Sequence, residues 1–191
     1  MENFNFSGIE RLPKSGEVEQ LFILMHGVGG SPANLMPLVN KLRDVYSSAA
    51  FLLPEGTYPF DGGGSGRQWF SIKEVTEENR YTRVENALPA LHELVVAAQE
   101  RFKVNQQNTV LGGFSQGAIM SLEYSVAHDD MVGNILAFSG RFTKLPTKAP
   151  AFTQLHLFHG QEDNVMPVSH SLAALENCLL GLENSGCCPY Y

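Results

Sequence analysis

Cysteine and basic residues are scarce in this chain of 191 residues, and both shortages exclude classes of protein. The three cysteines, Cys178, Cys187 and Cys188, are all close to the C-terminal end. An odd, clustered set fits reduced thiols better than a disulfide framework. Thirteen Lys and Arg face twenty Asp and Glu, which gives a net charge of -7 at pH 7. Because no basic patch is present to neutralise phosphates, nucleic acid is not expected as a partner.

Long hydrophobic segments are also missing. No apolar run approaches the roughly 20 residues that a membrane span needs. Residues 1–6 have neither a basic segment nor an apolar segment, so no signal peptide is predicted and a cytoplasmic location is expected. The length, with 43% hydrophobic and 17% charged residues, is typical of one globular domain over residues 1–191. No oligomeric state is predicted.

Motifs for metals and cofactors are absent as well. The sequence contains no C-x-x-C and no H-E-x-x-H. His156 and His159 lie three positions apart on a predicted strand, where this spacing turns side chains to opposite faces. The glycine-rich loop over residues 61–66 is not followed by Gly-Lys-Ser or Gly-Lys-Thr, which excludes a phosphate-binding loop of that type. No metal and no cofactor is predicted.

Short apolar runs alternate with helical patterns along the chain. This order predicts repeated βα units and an α/β fold with a mainly parallel sheet. Each run is continuously apolar, so we expect these strands to be covered on both faces. The predicted strands are residues 21–25, 50–53, 109–112, 135–138 and 155–158. In such sheets the ligand site lies beyond the carboxyl ends of the strands.

The clearest helix is predicted over about residues 77–102, with Thr76 as its N-terminal cap. Its apolar residues follow alternating spacings of four and three, which is typical of one buried helical face. Those residues are Val84, Leu88, Leu91, Val95, Ala98 and Phe102. Further helices are predicted over residues 32–45, directly after Ser115, and over residues 168–180.

The most informative motif is Gly-Phe-Ser-Gln-Gly, residues 113–117. It follows a predicted strand and opens a predicted helix, which is the context of a nucleophile elbow. Ser115 is therefore the predicted nucleophile, placed at the positive end of a helix. Because a serine hydroxyl is a weak nucleophile at neutral pH, it needs a base, an orienting acid and donors for the developing oxyanion.

A second glycine-rich motif, His-Gly-Val-Gly-Gly, covers residues 26–30 after the first predicted strand. This is where the oxyanion loop of such a fold belongs. The predicted oxyanion donors are the backbone N–H groups of Val28 and of Gln116, the residue after the nucleophile. The alternative is that the glycines form only a strand-to-helix turn.

Asp163 follows the last predicted strand, within residues 159–167. The triad acid of α/β-hydrolases comes after the serine in chain order, so Asp163 is the predicted acid. The alternative is a loop aspartate that caps the following helix.

Together these motifs resemble the phospholipase/carboxylesterase family of α/β-hydrolases, which includes the acyl-protein thioesterases, and most of all its bacterial YpfH-type esterases. The matching segments are residues 24–29, 66–71, 112–120, 137–141 and 159–167. The resemblance implies a three-layer α/β-hydrolase fold with Ser115 as nucleophile and Asp163 as acid. It also implies that Trp69 and Phe70 line the acyl pocket, although a lone tryptophan is also a common core residue.

The resemblance breaks at the C-terminal end. In the family the triad histidine lies on a loop after one more strand, whereas only His170 follows Asp163 here. His170 is too close to Asp163 to be expected as the base, and His26 and His159 are expected to be structural. The hypothesis is that residues 184–191 reflect a frameshift or premature stop and that the last strand-helix unit is missing. Strand 155–158 would then be an exposed edge.

The predicted function is that of a serine carboxylesterase or thioesterase acting on small acyl esters through an acyl-enzyme. The alternative is a hydrolase-fold protein without turnover that binds an acyl ligand or a partner. A dinucleotide-binding oxidoreductase shares the βα alternation but needs G-x-G-x-x-G. Here Gly30 is followed by Ser-Pro-Ala at residues 31–33, which disfavours that function.

Overall fold

The computed structural model describes residues 6–185. Within this range the strands, in chain order, are β1 (Gly8–Arg11), β2 (Gln20–Met25), β3 (Ala49–Pro54), β4 (Tyr58–Pro59), β5 (Arg67–Gln68), β6 (Thr109–Phe114), β7 (Asn134–Phe138) and β8 (Gln154–Phe158). The α-helices are α1 (Met36–Val45), α2 (Glu77–Phe102), α3 (Gln116–Ala127) and α4 (Ser169–Ser185), and short 3-10 helices cover Pro32–Leu35 and Gln106–Asn108.

Six strands form one sheet in the order β1-β3-β2-β6-β7-β8. β1 is antiparallel to β3, and the other neighbours are parallel. The predicted α/β class with a mainly parallel sheet is confirmed, and each of the five predicted strands is present. β1, β4 and β5 were not predicted, because they are short and lack an apolar run. β4 and β5 form a separate two-stranded ribbon.

The sheet is covered on both faces because side chains alternate along each strand. Leu21 and Ile23 of β2 pack in the cluster that includes the buried stripe of α2 and residues of α3. Phe22 and Leu24 point the other way, into a second cluster with Val39 of α1. The result is the predicted three-layer arrangement of helix, sheet and helix.

α2 agrees with its prediction at both ends. Thr76 accepts a hydrogen bond from the N–H of Asn79 at 3.3 Å, and the Asn79 side chain accepts one from the Thr76 N–H at 2.9 Å. This reciprocal cap satisfies two N–H groups of the first turn. The helix ends where Lys103 adopts a left-handed conformation, with φ of 55°. The segment predicted as one helix over residues 32–45 instead begins with a 3-10 turn, which Pro32 opens.

β8 differs from its prediction. It was expected to be covered on both faces, but its residues alternate between exposed and half-buried positions. Leu155 and Leu157 pack against the main core cluster, while Phe158 is 48% exposed. The reason is its place at the edge of the sheet described here, which agrees with the exposed edge predicted for a chain without the last strand-helix unit. Residues 186–191 lie outside the described residues. They include Cys187, Cys188 and most of the predicted frameshifted tail. Within residues 6–185, no helix has both the length and the apolar character that a membrane span requires.

Candidate active site

Ser115 occupies the sharp turn between β6 and α3. Its backbone has φ of 51° and ψ of -110°, a conformation that costs free energy for a residue with a side chain. Its N–H donates to the carbonyl oxygen of Phe138 at 2.9 Å, which ties the turn to the end of β7. The predicted strand-turn-helix context is present, with the serine at the carboxyl edge of the sheet.

The glycines of the elbow are required by close backbone contacts. A Cβ on Gly117 would lie 2.3 Å from the carbonyl oxygen of Met25, at the end of β2. A Cβ on Gly113 would lie 2.6 Å from the same oxygen and from the Gly117 carbonyl carbon. Because backbone atoms cannot move aside like a flexible side chain, any larger residue would displace the elbow from β2.

The glycine-rich loop after β2 lies directly beside Ser115, the predicted nucleophile. A Cβ on Gly27 would be 3.5 Å from the Cβ of Ser115. Within residues 6–185, the N–H groups of Val28 and Gln116 donate to no protein acceptor, whereas those of Gly29 and Gly30 bond to Arg67 and Gly27. The structure therefore places two uncommitted donors on the two segments that meet at Ser115, one of them at the N-terminus of α3.

His26 is buried and its ring is locked in one protonation state. Nδ1 donates to the carbonyl oxygen of Gly27 at 2.7 Å, and Nε2 accepts the N–H of Gly56 at 3.0 Å. The ring must be neutral, since Nε2 uses its lone pair for the second bond. Burial accordingly lowers the pKa of His26. The His26 ring links the end of β2 to the loop after β3, in keeping with its predicted structural role. It has no free lone pair with which to act as a base.

Asp163 organises the loop after β8. Its Oδ1 accepts the N–H groups of Val165 and Met166 at 2.9 and 2.8 Å. These two bonds lower the pKa of Asp163, with smaller contributions from Ser139 and His159. Oδ2 lies 3.8 Å from Nε2 of His159. The carboxylate therefore closes a turn within the loop, several residues before α4 begins, and lies beside a histidine as well.

His159 has both ring nitrogens engaged. Nε2 donates to the carbonyl oxygen of Met166 at 2.6 Å, and Nδ1 lies 2.6 Å from the hydroxyl oxygen of Ser171. His159 directly follows β8, as Ser115 follows β6, and β7 separates those two strands. These two hydrogen bonds link the His159 ring to Met166 in its own loop and to Ser171 of α4, in keeping with its predicted structural role.

None of the six histidines, all of which lie within residues 6–185, forms a hydrogen bond with the hydroxyl of Ser115. His92 and His128 stack on each other at 4.2 Å between α2 and the end of α3. His156 bonds to Asn134 at 3.0 Å. Burial, with a smaller contribution from the Arg141 guanidinium, lowers the pKa of His170. The structure thus brings together Ser115, the predicted nucleophile, and two uncommitted N–H donors, and no histidine of residues 6–185 is hydrogen-bonded to the Ser115 hydroxyl.

Trp69 and Phe70 are both buried, with 5% and 4% of their surface exposed. The Trp69 indole N–H donates to the carbonyl oxygen of His26 at 2.8 Å. Trp69 also borders a cavity of about 190 Å³ with Leu91 and Met120, on the α2 and α3 side of the sheet. Their predicted place in the acyl pocket stays a prediction.

A larger groove of about 830 Å³ opens at the carboxyl edge of the sheet. Its walls come from the oxyanion loop, from the start of α1 and from the ends of β6, β7 and β8. The apolar side chains among them are Val28, Leu35, Leu38, Phe114, Phe138 and Phe158. The three phenylalanines were not predicted as site residues, although a signal was present: each is the last residue of a strand and directly precedes Ser115, Ser139 or His159.

Residues 10–184 match the Phospholipase/Carboxylesterase family over most of the chain. The chain belongs to that family. By family it is a carboxylic-ester hydrolase, and the predicted α/β-hydrolase fold is confirmed.

Two curated relatives illustrate the range of the family. Esterase YpfH of Escherichia coli strain K12 is 39% identical over 158 residues, which cover 83% of this chain and 68% of the relative. Acyl-protein thioesterase 1 of Saccharomyces cerevisiae is 27% identical over 192 residues, covering 88% and 81%. The predicted likeness to YpfH-type esterases, with acyl-protein thioesterases as more distant relatives, is confirmed.

Solved structures agree with this assignment. The crystal structure of esterase PE8 superposes with a TM-score of 0.83 at 28% identity, covering 95% of this chain and 85% of that one. The Bacillus cereus carboxylesterase has a TM-score of 0.74 at 19% identity, covering 97% and 82%, and shows the shared fold alone.

Proposed function

We propose that this chain attacks small acyl esters with the hydroxyl of Ser115 and forms an acyl-enzyme. The observation that carries the proposal is the strained Ser115 turn, held between two uncommitted N–H donors, those of Val28 and Gln116. Donors that are already oriented before the reaction can stabilise a developing oxyanion without reorganisation, and each is worth about 3 kcal/mol.

In the proposed reaction, Ser115 Oγ bonds to the ester carbonyl carbon and gives up its proton. The carbonyl oxygen becomes an oxyanion that accepts the N–H groups of Val28 and Gln116. Collapse of this intermediate breaks its bond to the leaving group, which takes up the proton given up by Ser115 and departs as the alcohol, or as the thiol of a thioester. Water then cleaves the acyl-enzyme to give the carboxylic acid and to restore the serine hydroxyl. Asp163 is proposed as the acid of the site, and its pKa is low enough to keep it ionised at neutral pH.

The groove beside Ser115 is proposed to take the acyl chain. It is mainly apolar, and Phe114 and Phe158 in its wall are each 48% exposed. Covering such surfaces with an aliphatic chain is favourable, by about 25 cal/mol per Å² of apolar area removed from water. The groove is also open, so it suits small acyl esters without selecting one chain length.

A second candidate function is acylation without efficient turnover, or acyl-ligand binding alone. It is favoured by one observation: in the described part of the chain no histidine bonds to the Ser115 hydroxyl. Loss of a triad base lowers kcat by about 10⁶-fold in a well-studied serine protease, while the oxyanion hole and binding leave roughly 10³-fold acceleration over water.

The test is p-nitrophenyl butyrate hydrolysis by the purified chain, with intact mass measured after mixing. Ser115→Ala is the test variant. Ser125→Ala is the matched control, because Ser125 lies on the same helix and its hydroxyl donates to the Leu122 carbonyl oxygen at 2.6 Å, its one side-chain bond among residues 6–185. Steady p-nitrophenolate release that requires Ser115 supports the esterase. One butyryl group per chain without further release supports the second candidate. Equal, measurable hydrolysis by Ser115→Ala and the wild type would contradict both the esterase and acylation at Ser115. Neither hydrolysis nor acylation in the wild type would leave acyl-ligand binding alone.

A further inference from the structure

The segment of residues 66–70, here called the strut, contacts both sides of the proposed oxyanion site. On the side of the glycine-rich loop, Gly29 N–H donates to the Arg67 carbonyl oxygen at 2.8 Å, and Arg67 N–H donates to the Gly30 carbonyl oxygen at 2.9 Å. The two backbones are so close that a Cβ on Gly66 would lie 2.3 Å from the carbonyl oxygen of Gly29. The loop carrying Val28 is therefore fastened to the strut.

A side chain of the strut adds a third attachment to the same loop. The indole N–H of Trp69 reaches the carbonyl oxygen of His26, at the start of the loop, across 2.8 Å. Trp69 is almost fully buried, so this bond lies away from competing water. The loop is thus held at its beginning and after its turn, on either side of Val28.

The other side of the site is attached through the side chain of Gln116. Its Oε1 accepts the N–H of Trp69 at 2.7 Å, and its Nε2 donates to the carbonyl oxygen of Phe70 at 2.8 Å. Gln116 is 3% exposed, and both ends of its amide are bonded to consecutive residues of the strut. The same residue offers its own backbone N–H, uncommitted, beside Ser115.

We infer that the Gln116 side chain and the Trp69 indole are positioning groups that set the separation of the two oxyanion donors. Through the strut, the Gln116 amide connects the N-terminus of α3 to the loop that carries Val28. An oxyanion hole works only when both donors lie about 2.7–3.1 Å from the oxygen that develops charge. A misplacement of about 1 Å can cost 10²-fold in rate. This inference rests on the proposed function, because it concerns the geometry of the same site.

The test compares three variants. Gln116→Met keeps the length and the backbone N–H but removes both amide bonds, and Trp69→Phe removes only the indole donor. Gln99→Met is the matched control, because Gln99 is also a buried amide with two hydrogen bonds. It donates to Thr109 Oγ1 at 3.0 Å and to the Met131 carbonyl oxygen at 2.8 Å. Both acceptors lie at the amino ends of the strands, opposite the proposed site.

The measurements are the rate constant of the first p-nitrophenolate release, its dependence on ester concentration, and the melting temperature. We expect Gln116→Met and Trp69→Phe to slow acylation by about 10²-fold with an apparent KM within twofold of wild type. Gln99→Met should acylate at the wild-type rate even if it melts earlier. A raised KM with unchanged acylation, or equal slowing by Gln99→Met, would overturn the inference.

Amide hydrogen exchange of residues 26–30 gives a readout that needs no acylation. Exchange there should be faster in Gln116→Met and Trp69→Phe than in wild type, and unchanged in Gln99→Met. If the wild-type protein shows no acylation dependent on Ser115, the proposed function fails while exchange still decides the role of the strut. Unchanged exchange at residues 26–30 in both Gln116→Met and Trp69→Phe would overturn the inference that these two side chains position the loop.

Discussion

Two regions at the carboxyl ends of the strands differ in how firmly they are held. One is the nucleophile region, formed by the ends of β2 and β6, the start of α3 and the strut. The other is the edge region, formed by β8, the loop of Asp163 and α4. In the nucleophile region Met25, Gly113 and Gly117 are in backbone contact and buried. In the edge region Phe158 is half exposed, and Leu172 and Leu175 of α4 are more than half exposed.

One sheet therefore holds the parts of the proposed site with unequal firmness. Ser115 and its proposed oxyanion donors depend on central strands, where packing on both faces and strained turns hold one geometry. Asp163 depends on a loop after an edge strand, where mainly local hydrogen bonds within residues 160–166 define its position.

The largest effect is expected for the charge of Asp163. Asp163→Asn retains an oxygen that can accept the N–H groups of Val165 and Met166, but it loses the negative charge that an acid of the site supplies. If the protein turns over, we expect kcat/KM for p-nitrophenyl butyrate to fall by about 10⁴-fold with little change in melting temperature. Asp163→Ala should lose both activity and the turn. Full activity in Asp163→Asn would mean that Asp163 serves the loop alone.

Gly117→Ala should be the most damaging change for stability in the nucleophile region. Its Cβ would lie 2.3 Å from the backbone oxygen of Met25, and no flexible group is present to yield. We expect a loss of about 3 kcal/mol or more in the free energy of unfolding, measured by urea denaturation. Gly160→Ala is the control from the edge region, since nothing lies within 4 Å of its added Cβ. Equal losses for the two variants would contradict the contrast.

Core truncations should rank the central and edge strands. Leu52 of β3 is fully buried, and Leu157 of β8 is only partly buried. We expect Leu52→Ala to lower the free energy of unfolding by about 2–5 kcal/mol, and Leu157→Ala by clearly less, because a half-exposed site loses less contact area and can relax. A larger loss for Leu157→Ala, in the same denaturation experiment, would show that the edge strand is packed more tightly than its exposure indicates.

The smallest effect concerns pH and the buried carboxyl of Glu123 on α3. It accepts the N–H and hydroxyl of Thr143 at 2.6 and 2.7 Å, yet burial raises its pKa above the ordinary value of 4.5. A carboxyl with a raised folded-state pKa contributes stability below pH 4.5 that is lost as the pH rises through the folded-state pKa. Glu123→Gln should therefore flatten the decline in unfolding free energy that sets in as the pH rises above 4.5. Identical pH profiles for variant and wild type would refute this assignment.

Much of the nucleophile region could be predicted from local patterns. The five main strands were recognisable because each is a short apolar run that ends in a turn, and α2 because its buried residues repeat with a helical period. The elbow at Ser115 was recognisable because the glycines at 113 and 117 meet a steric need that is visible in the pentapeptide. The exposure of β8 was not predictable from its own residues, because an apolar run looks the same in a central strand and at an edge. It was predicted only indirectly, from the missing histidine motif beyond Asp163.

Residue types at short and regular spacing were enough to predict the fold class and the family, and they also predict Ser115 as the nucleophile. How the two proposed oxyanion donors are connected follows only from the folded chain. The bond from Trp69 N–H to the Gln116 side chain joins residues 47 positions apart, and the bond from Gly56 to His26 joins residues 30 apart. Such pairings follow from the order of strands in the sheet, a property of the whole chain that no local pattern carries.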